Sequence, residues 1–246
     1  MRNLLTVIAA IAIVGVAGAV YFLRHEPTTS KAEADSLVAG AAAASATEAA
    51  KPPTQMAQVQ QPAIGPDEHV LGKADAPVTM IEYGSYTCPH CAHFDQVTFP
   101  LLKKDFIDKG QLRFVFREFV RNGVDIKAAQ LVHCGPPDTF FNFVDVLFRS
   151  QESWAFVQDP VDALKKIGRT AGLDSAKIDQ CLADEAFATK IVADTKAAYE
   201  DLKIQATPTL VVNGTSYPNI PYEDYDDNGA KQPGLASVIK GLLPKP

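Results

Sequence analysis

The chain has 246 residues, a net charge of −6 and an isoelectric point near 5.4. Because no basic patch or stripe interrupts this acidic balance, the sequence argues against nucleic acid as a partner. About 180 residues follow residue 66, enough for one domain of ordinary size with an ample core.

The first predicted element is an N-terminal apolar helix. Residues 4–23 are almost continuously apolar, follow Arg2 and are long enough to cross a bilayer. A cleaved signal peptide is the competing interpretation, with residues 17–19 as a small-residue cleavage site. Since the apolar run continues to Leu23, the sequence favours residues 1–24 as an uncleaved membrane anchor. Both interpretations predict that the remainder is exported.

Residues 25–66 are predicted to be a low-complexity linker. They combine an Ala-rich run, the sequence Lys51-Pro52-Pro53 and a Gln-rich run with few large apolar side chains. Such a segment cannot bury enough surface to fold alone, so we expect a disordered tether. As a flexible coil its roughly 40 residues would span about 35 Å. An Ala-rich helical or oligomerising stalk is the alternative, against which the weak apolar periodicity counts.

Residues 67–246 are predicted to form an α/β domain. The strand patterns lie at 78–83, 112–116, 209–212 and 215–217, the last two being joined as a hairpin through Asn213-Gly214. The patterns between the second strand and the hairpin are helical, which predicts an all-helical insertion at about 123–202. A closing amphipathic helix is expected at 235–243.

Two thiols lie where the first strand gives way to a helix, in the sequence Cys88-Pro89-His90-Cys91. Unpaired backbone N–H groups and the helix dipole would stabilise a thiolate there, so we expect Cys88 to be the acidic, exposed, attacking sulfur. Pro89 suits the first helical position, a protonated His90 would favour the thiolate further, and Cys91 would be the resolving sulfur. Each unit by which the Cys88 pKa falls raises the reduction potential of the Cys88–Cys91 disulfide by roughly 30 mV. A higher potential makes the disulfide a stronger oxidant, so the sequence predicts a protein that donates disulfides.

A structural zinc site is the alternative for this motif. Its ligands would be Cys88, His90, Cys91 and His93. A closed zinc site requires four well-placed ligands, and the chain has no second Cys-x-x-Cys to complete one. The sequence therefore predicts a redox pair that uses neither a metal nor another cofactor.

The order of these elements and two motifs resemble the DsbA-like branch of the thioredoxin superfamily. The motifs are residues 82–91 and 206–210. Over residues 67–246 the resemblance implies a thioredoxin-like fold with an inserted helical subdomain, and a protein dithiol-disulfide oxidoreductase. It implies reduced or unfolded exported proteins as substrates and a membrane quinone-linked thiol oxidase for reoxidation. It also implies the periplasm, with the protein tethered by residues 4–23 or soluble after signal cleavage.

Thr207 and Pro208 match the family's cis-proline loop, which packs beside the active-site sulfurs. A cis bond there would leave the Thr207 backbone free to pair with an extended substrate segment. Relatives classed as oxidases often have Val at the position of Thr207, whereas isomerases often have Thr. A disulfide isomerase or reductase is therefore an alternative function, and a Cys/His metal-binding module is a more distant one.

Glu82 lies six residues before Cys88 in an otherwise mostly apolar strand. If its side chain points inward, desolvation raises its pKa, and it could exchange a proton with Cys91 through water. By resemblance it corresponds to the family's buried acid. A solvent-facing strand residue is the alternative.

Cys134 and Cys181 both fall within the predicted helical insertion. With Cys88 and Cys91 set aside as the redox pair, these two are natural partners in an oxidising compartment. A structural disulfide there would contribute about 3 to 4 kcal/mol on the loop-entropy model. Two buried free thiols are the alternative.

Overall fold

A computed structural model describes residues 57–245. The predicted anchor at 1–24 and most of the predicted linker lie outside the described residues. Within the described part of the chain, no helix is both long and apolar enough to span a bilayer.

In the described residues eight strands form two sheets. In chain order they are β1 (Ala57–Gln58), β2 (Val70–Leu71), β3 (Val78–Gly84), β4 (Leu112–Glu118), β5 (Thr209–Val212), β6 (Thr215–Pro218), β7 (Tyr225–Asp227) and β8 (Ala230–Gln232). The main sheet has the order β1-β6-β5-β3-β4-β2, and β7 and β8 form a separate hairpin.

The central strand β3 carries the chain into the redox motif. It runs parallel to β4 and antiparallel to β5, and each of its seven residues is buried. Its apolar side chains alternate between the two faces of the sheet, with Met80 in the larger core and Ile81 in the smaller one. A strand covered on both faces provides a rigid support for the turn that follows it.

Nine α-helical segments accompany the sheet in the described residues. They are α1 (Pro89–His93), α2 (Phe99–Leu102), α3 (Gly123–Val132), α4 (Phe140–Arg149), α5 (Gln151–Trp154), α6 (Pro160–Thr170), α7 (Ser175–Leu182), α8 (Glu185–Asp201) and α9 (Leu235–Leu242). Two π-helical turns, Phe94–Thr98 and Lys103–Ile107, continue α1 and α2.

Helices α3 to α8 make up the insertion that the sequence pattern predicts. Four of them begin at a side-chain N-cap, as the sequence chemistry favours. The capping residues are Asn122, Asp159, Asp174 and Asp184. A disulfide between Cys134 and Cys181, with Cα atoms 5.7 Å apart, connects the end of α3 to α7.

Residues 57–59, which fall within the predicted linker, take part in the sheet or bond to its hairpin turn. Strand β1 pairs with β6 at the edge of the sheet, and the Val59 amide donates to the Gly214 carbonyl over 2.7 Å. Gly214 has a φ of +83°, which suits the tight turn between β5 and β6. An edge strand held by backbone hydrogen bonds needs few apolar side chains, so the composition of the linker gave no sign of it.

Candidate active site

Cys88 lies at the N-cap of α1, directly after the turn that leaves β3. Its backbone is extended, with φ −89° and ψ 117°, and Pro89 occupies the first helical position. The Cys88 carbonyl accepts from the amides of Cys91 and Ala92, each at 3.1 Å. This start of the helix brings the first free N–H groups of α1 towards the sulfur.

The Cys88 sulfur has a strongly lowered pKa of about 5. A hydrogen bond from the Cys91 side chain contributes most to this lowering; the Thr207 side chain and the backbone N–H groups of Cys91 and His90 add to it, and desolvation opposes it. His90 acts through its backbone, since its imidazole is exposed. The expected thiolate is therefore favoured more by the partner sulfur than the sequence argument assumed.

The prediction that Cys88 is exposed is wrong. The residue is only 2% exposed, although its neighbours Pro89 and His90 are both exposed. Its Sγ donates to the backbone carbonyl of Thr207 over 3.3 Å. A segment 119 residues further along the chain thus lies against the sulfur and helps to bury it.

Cys91 differs from Cys88 in both burial and acidity. It is fully buried, and desolvation followed by the hydrogen bond to Cys88 raises its pKa well above the ordinary value. The Ser85 amide approaches its Sγ at 3.5 Å. Of the two sulfurs, Cys88 is therefore the good nucleophile and leaving group, whereas Cys91 retains its proton.

The bond between Thr207 and Pro208 is cis, and it opens β5 next to the active-site turn. Thr207 Oγ1 is buried and has no hydrogen-bond partner among the described residues. The hydroxyl is therefore available to donate to Cys88 once that sulfur is ionised. The Thr207 carbonyl, in contrast, accepts a hydrogen bond from Cys88 while it is a neutral thiol.

Glu82 points inward from β3, since its side chain is 3% exposed. Burial raises its pKa well above the usual range, and the charges of Asp95 and Cys88 raise it further. One of its oxygens, Oε1, has no hydrogen-bond partner within residues 57–245. Burial thus favours the protonated form of Glu82, which lies close enough to Cys88 for their charges to interact.

Asp95 is a second buried acid, which the sequence argument missed. It follows Cys91 by four residues, which places both side chains on one face of the helix. Burial and the neighbouring Asp145 raise its pKa to about 7, against the opposing charge of Arg149. The i, i+4 spacing from Cys91 was the signal that could have identified it.

Residues 65–227, more than half of the chain, match the family described as Thioredoxin. This chain belongs to the thioredoxin family. A protein-disulfide oxidoreductase of Rickettsia typhi is 34% identical over 154 residues, covering 62% of this chain and 57% of the relative. Disulfide bond formation protein D of Bacillus subtilis is 36% identical over 166 residues, covering 64% of this chain and 72% of the relative.

Solved structures show the same fold as this thioredoxin-family chain. The crystal structure of Wolbachia pipientis α-DsbA1 matches with a TM-score of 0.61 and 32% identity, covering 73% of this chain and 92% of that one. The predicted DsbA-like fold with a helical insertion is therefore confirmed. The chain spans less than two thirds of the length of the rickettsial relative.

The zinc alternative would require ligands that this thioredoxin-family structure does not bring together. His90 and His93 are exposed, whereas Cys91 is fully buried on another side of the same helix. Across residues 57–245, no three His, Cys, Asp or Glu side chains are arranged to hold a metal ion. What the site does bring together is one acidic thiol, one thiol that retains its proton and a buried acid with a raised pKa.

Proposed function

We propose that this thioredoxin-family chain is a protein dithiol-disulfide oxidoreductase that donates a Cys88–Cys91 disulfide to reduced proteins. One observation carries the proposal: the pKa of Cys88 is lowered to about 5, while that of Cys91 is raised well above its ordinary value. Because ionisation of Cys88 stabilises the dithiol form, the disulfide form is the stronger oxidant. The Bacillus subtilis relative, named for disulfide bond formation, supports the same direction.

The proposed reaction begins when a substrate thiolate attacks Cys88 Sγ of the oxidised protein. The bond between Cys88 and Cys91 breaks, a mixed disulfide between substrate and Cys88 forms, and Cys91 leaves and takes up a proton. A second substrate thiolate then attacks the substrate sulfur of the mixed disulfide, and Cys88 leaves as its stabilised thiolate. Two electrons pass from the substrate to the protein, which ends as the dithiol.

Glu82 is the proposed source of the proton that Cys91 takes up. Burial favours the protonated form of its carboxyl group, because it raises the pKa well above the ordinary value. It can protonate the departing Cys91 sulfur, directly or through water, and regain a proton from solvent. In the reverse direction Glu82 first releases its proton to solvent, and the resulting carboxylate then accepts the Cys91 proton as the disulfide forms again.

The proposed substrates are reduced, unfolded proteins exported to the periplasm. An extended substrate segment can pair with the backbone at Thr207, beside which Gln205 and Ala206 are exposed. Residues 4–23 would tether the protein to the inner membrane or act as a cleaved signal. A membrane quinone-linked thiol oxidase would restore the disulfide. These assignments rest on the sequence and on the DsbA-like resemblance.

An isomerase or reductase remains the second candidate function, because Thr207 precedes the cis proline. The two functions differ in the substrate they require. An isomerase rescues a protein with scrambled disulfides, and it acts as the dithiol. An oxidase accelerates disulfide formation in a fully reduced protein, and it acts as the disulfide.

The function is tested by mixing the oxidised protein with a reduced, unfolded model protein and counting the thiols that remain. We expect one Cys88–Cys91 disulfide to be consumed for each disulfide formed in the substrate. Cys88→Ser and Cys91→Ser variants retain only the Cys134–Cys181 disulfide, and they should oxidise nothing. Oxidation by these variants, or none by the wild type, would contradict the proposal.

A further inference from the structure

A fully buried carboxylate joins the helical insertion to the active-site turn. Asp125, in the first turn of α3, is 0% exposed. Its Oδ1 accepts from the Thr87 amide at 2.8 Å, and its Oδ2 accepts from the Arg121 amide at 2.8 Å. The Ser85 hydroxyl lies 3.1 Å and 2.9 Å from the same two oxygens.

This arrangement is more than a cap on α3. The bond to the Arg121 amide does stabilise the start of the helix, as an acid at this position commonly does. The bond to Thr87, however, crosses from the insertion to the residue directly before Cys88. A buried carboxylate is costly unless its oxygens are paired, so removing either bond penalises this structure.

The turn that leads to Cys88 depends on such bonds from outside. Within the turn, the Cys88 amide donates to the Ser85 carbonyl at 3.0 Å. The Thr87 amide is instead held by Asp125, and Gln151 Nε2 from α5 donates to the carbonyls of Tyr86 and Cys88 at 2.7 and 3.0 Å. The insertion therefore binds the backbone of every residue from Tyr86 to Cys88.

We propose that Asp125 is the positioning residue through which the helical insertion holds the active-site turn, so that Cys88 Sγ faces the start of α1. The proposal rests on the proposed function, since it names a residue that sets the reactivity of the same sulfur. Asp125 touches neither sulfur. Its effect is transmitted through the Thr87 peptide, which fixes the extended backbone of Cys88.

Asp125→Asn tests this proposal, because asparagine has the same shape but only one acceptor oxygen. Its amide N–H groups then face the amide of either Thr87 or Arg121. We expect the turn to loosen and the Cys88 pKa to rise by about one unit, which weakens the oxidant about tenfold in its equilibrium with glutathione. Loss of a nearby negative charge alone would act in the opposite direction, because it makes the thiolate easier to form.

The same experiment separates positioning from simple stabilisation. Unfolding of the oxidised and the reduced variant by urea gives two free energies, and their difference is linked to the redox equilibrium. If Asp125 only stabilises the fold, its substitution lowers the free energy of unfolding of both redox forms equally and leaves the glutathione equilibrium unchanged. An unchanged or lowered Cys88 pKa in Asp125→Asn overturns the proposal.

Asp174→Asn is the matched control within the insertion. Asp174 also accepts from two backbone amides, those of Ala176 and Lys177, at the start of α7. Its substitution removes the same charge and should leave the Cys88 pKa unchanged; an equal rise there would overturn the proposal.

If Asp125→Asn does not fold, Ser85→Ala removes one donor to the carboxylate. It should raise the Cys88 pKa by a smaller amount, and no rise would overturn the proposal.

The test also keeps the two proposals apart. The wild-type glutathione equilibrium reports on the proposed oxidase function. The Asp125 proposal depends only on the difference between variant and wild type, so either can fail alone.

Discussion

The Cys88 sulfur and the Thr207 carbonyl oxygen lie 3.3 Å apart, with the thiol as donor. When Cys88 ionises, this carbonyl has no hydrogen to accept, so the thiolate depends on other donors. The Cys91 thiol is the strongest of these, and the Thr207 hydroxyl and the first amides of α1 follow. One loop therefore covers the sulfur, while the partner cysteine makes it acidic.

Cys91→Ala should raise the Cys88 pKa by about one unit or more, because it removes the donor that lowers this pKa most. Cys91→Ser is the matched variant, since its hydroxyl can still donate to Cys88. Titration of the thiolate by its ultraviolet absorbance measures both. Equal pKa values in the two variants would show that a donor at position 91 does not stabilise the thiolate.

The stability of the reduced protein relative to the oxidised protein should rise with pH between about 5 and 9. Over this interval Cys88 is ionised in the folded state, with a pKa of about 5, but protonated in the unfolded state, where the value is near 9.0. The unfolded reduced protein then binds more protons than the folded one. The free energy of unfolding of the reduced form, relative to that of the oxidised form, therefore grows by at most about 1.4 kcal/mol per pH unit.

Urea unfolding of both redox forms across this pH range measures that difference. Groups such as Asp95 titrate in both redox forms, so their contributions to the difference in unfolding free energy largely cancel. A difference that stays flat, or falls as the pH rises from 5 to 8, would contradict a lowered Cys88 pKa.

Glu82→Gln should slow substrate oxidation about tenfold or more at neutral pH, because the departing Cys91 sulfur loses its proton source. The variant should also be at least as stable as the wild type, since it removes a buried ionisable group. Stopped-flow measurement of the oxidation rate tests this, with the exposed Glu185→Gln as control. Unchanged rates and an unchanged pH profile would remove Glu82 from the mechanism.

Asp95→Asn should stabilise the protein at pH 8 but not at pH 4. The pKa of Asp95 is raised from 3.8 to about 7, so the wild type loses stability as the pH rises from about 4 to 7. The asparagine variant lacks this loss and should gain on the order of 2 kcal/mol over that interval. Urea unfolding at several pH values measures the gain, and a pH-independent difference between the two proteins would contradict it.

The strands, the insertion and the redox turn could be predicted because their signals are local. Apolar runs mark β3 and β4, Asn213-Gly214 marks a hairpin, and the thiol spacing marks the start of α1. The lowered pKa of Cys88 could be predicted from the same local signals. Its largest cause, the hydrogen bond from the Cys91 side chain, could not.

The remaining features depend on contacts between distant parts of the chain. Thr207 covers Cys88 from another strand, and no local pattern shows which thiol such a loop will bury. Asp125 and Gln151 reach the active-site turn from the insertion, where their sequence neighbours suggest only a helix start and a surface amide. Strand β1 follows from backbone pairing, which composition does not report.

The central claim is that ionised Cys88 makes the Cys88–Cys91 disulfide a strong oxidant. The redox equilibrium of this pair with glutathione at pH 7 tests it most directly. We predict a potential well above that of thioredoxin, which is about −270 mV, together with a Cys88 titration midpoint near 5. A potential near the thioredoxin value, with Cys88 ionising near 9.0 like an ordinary thiol, would contradict the account.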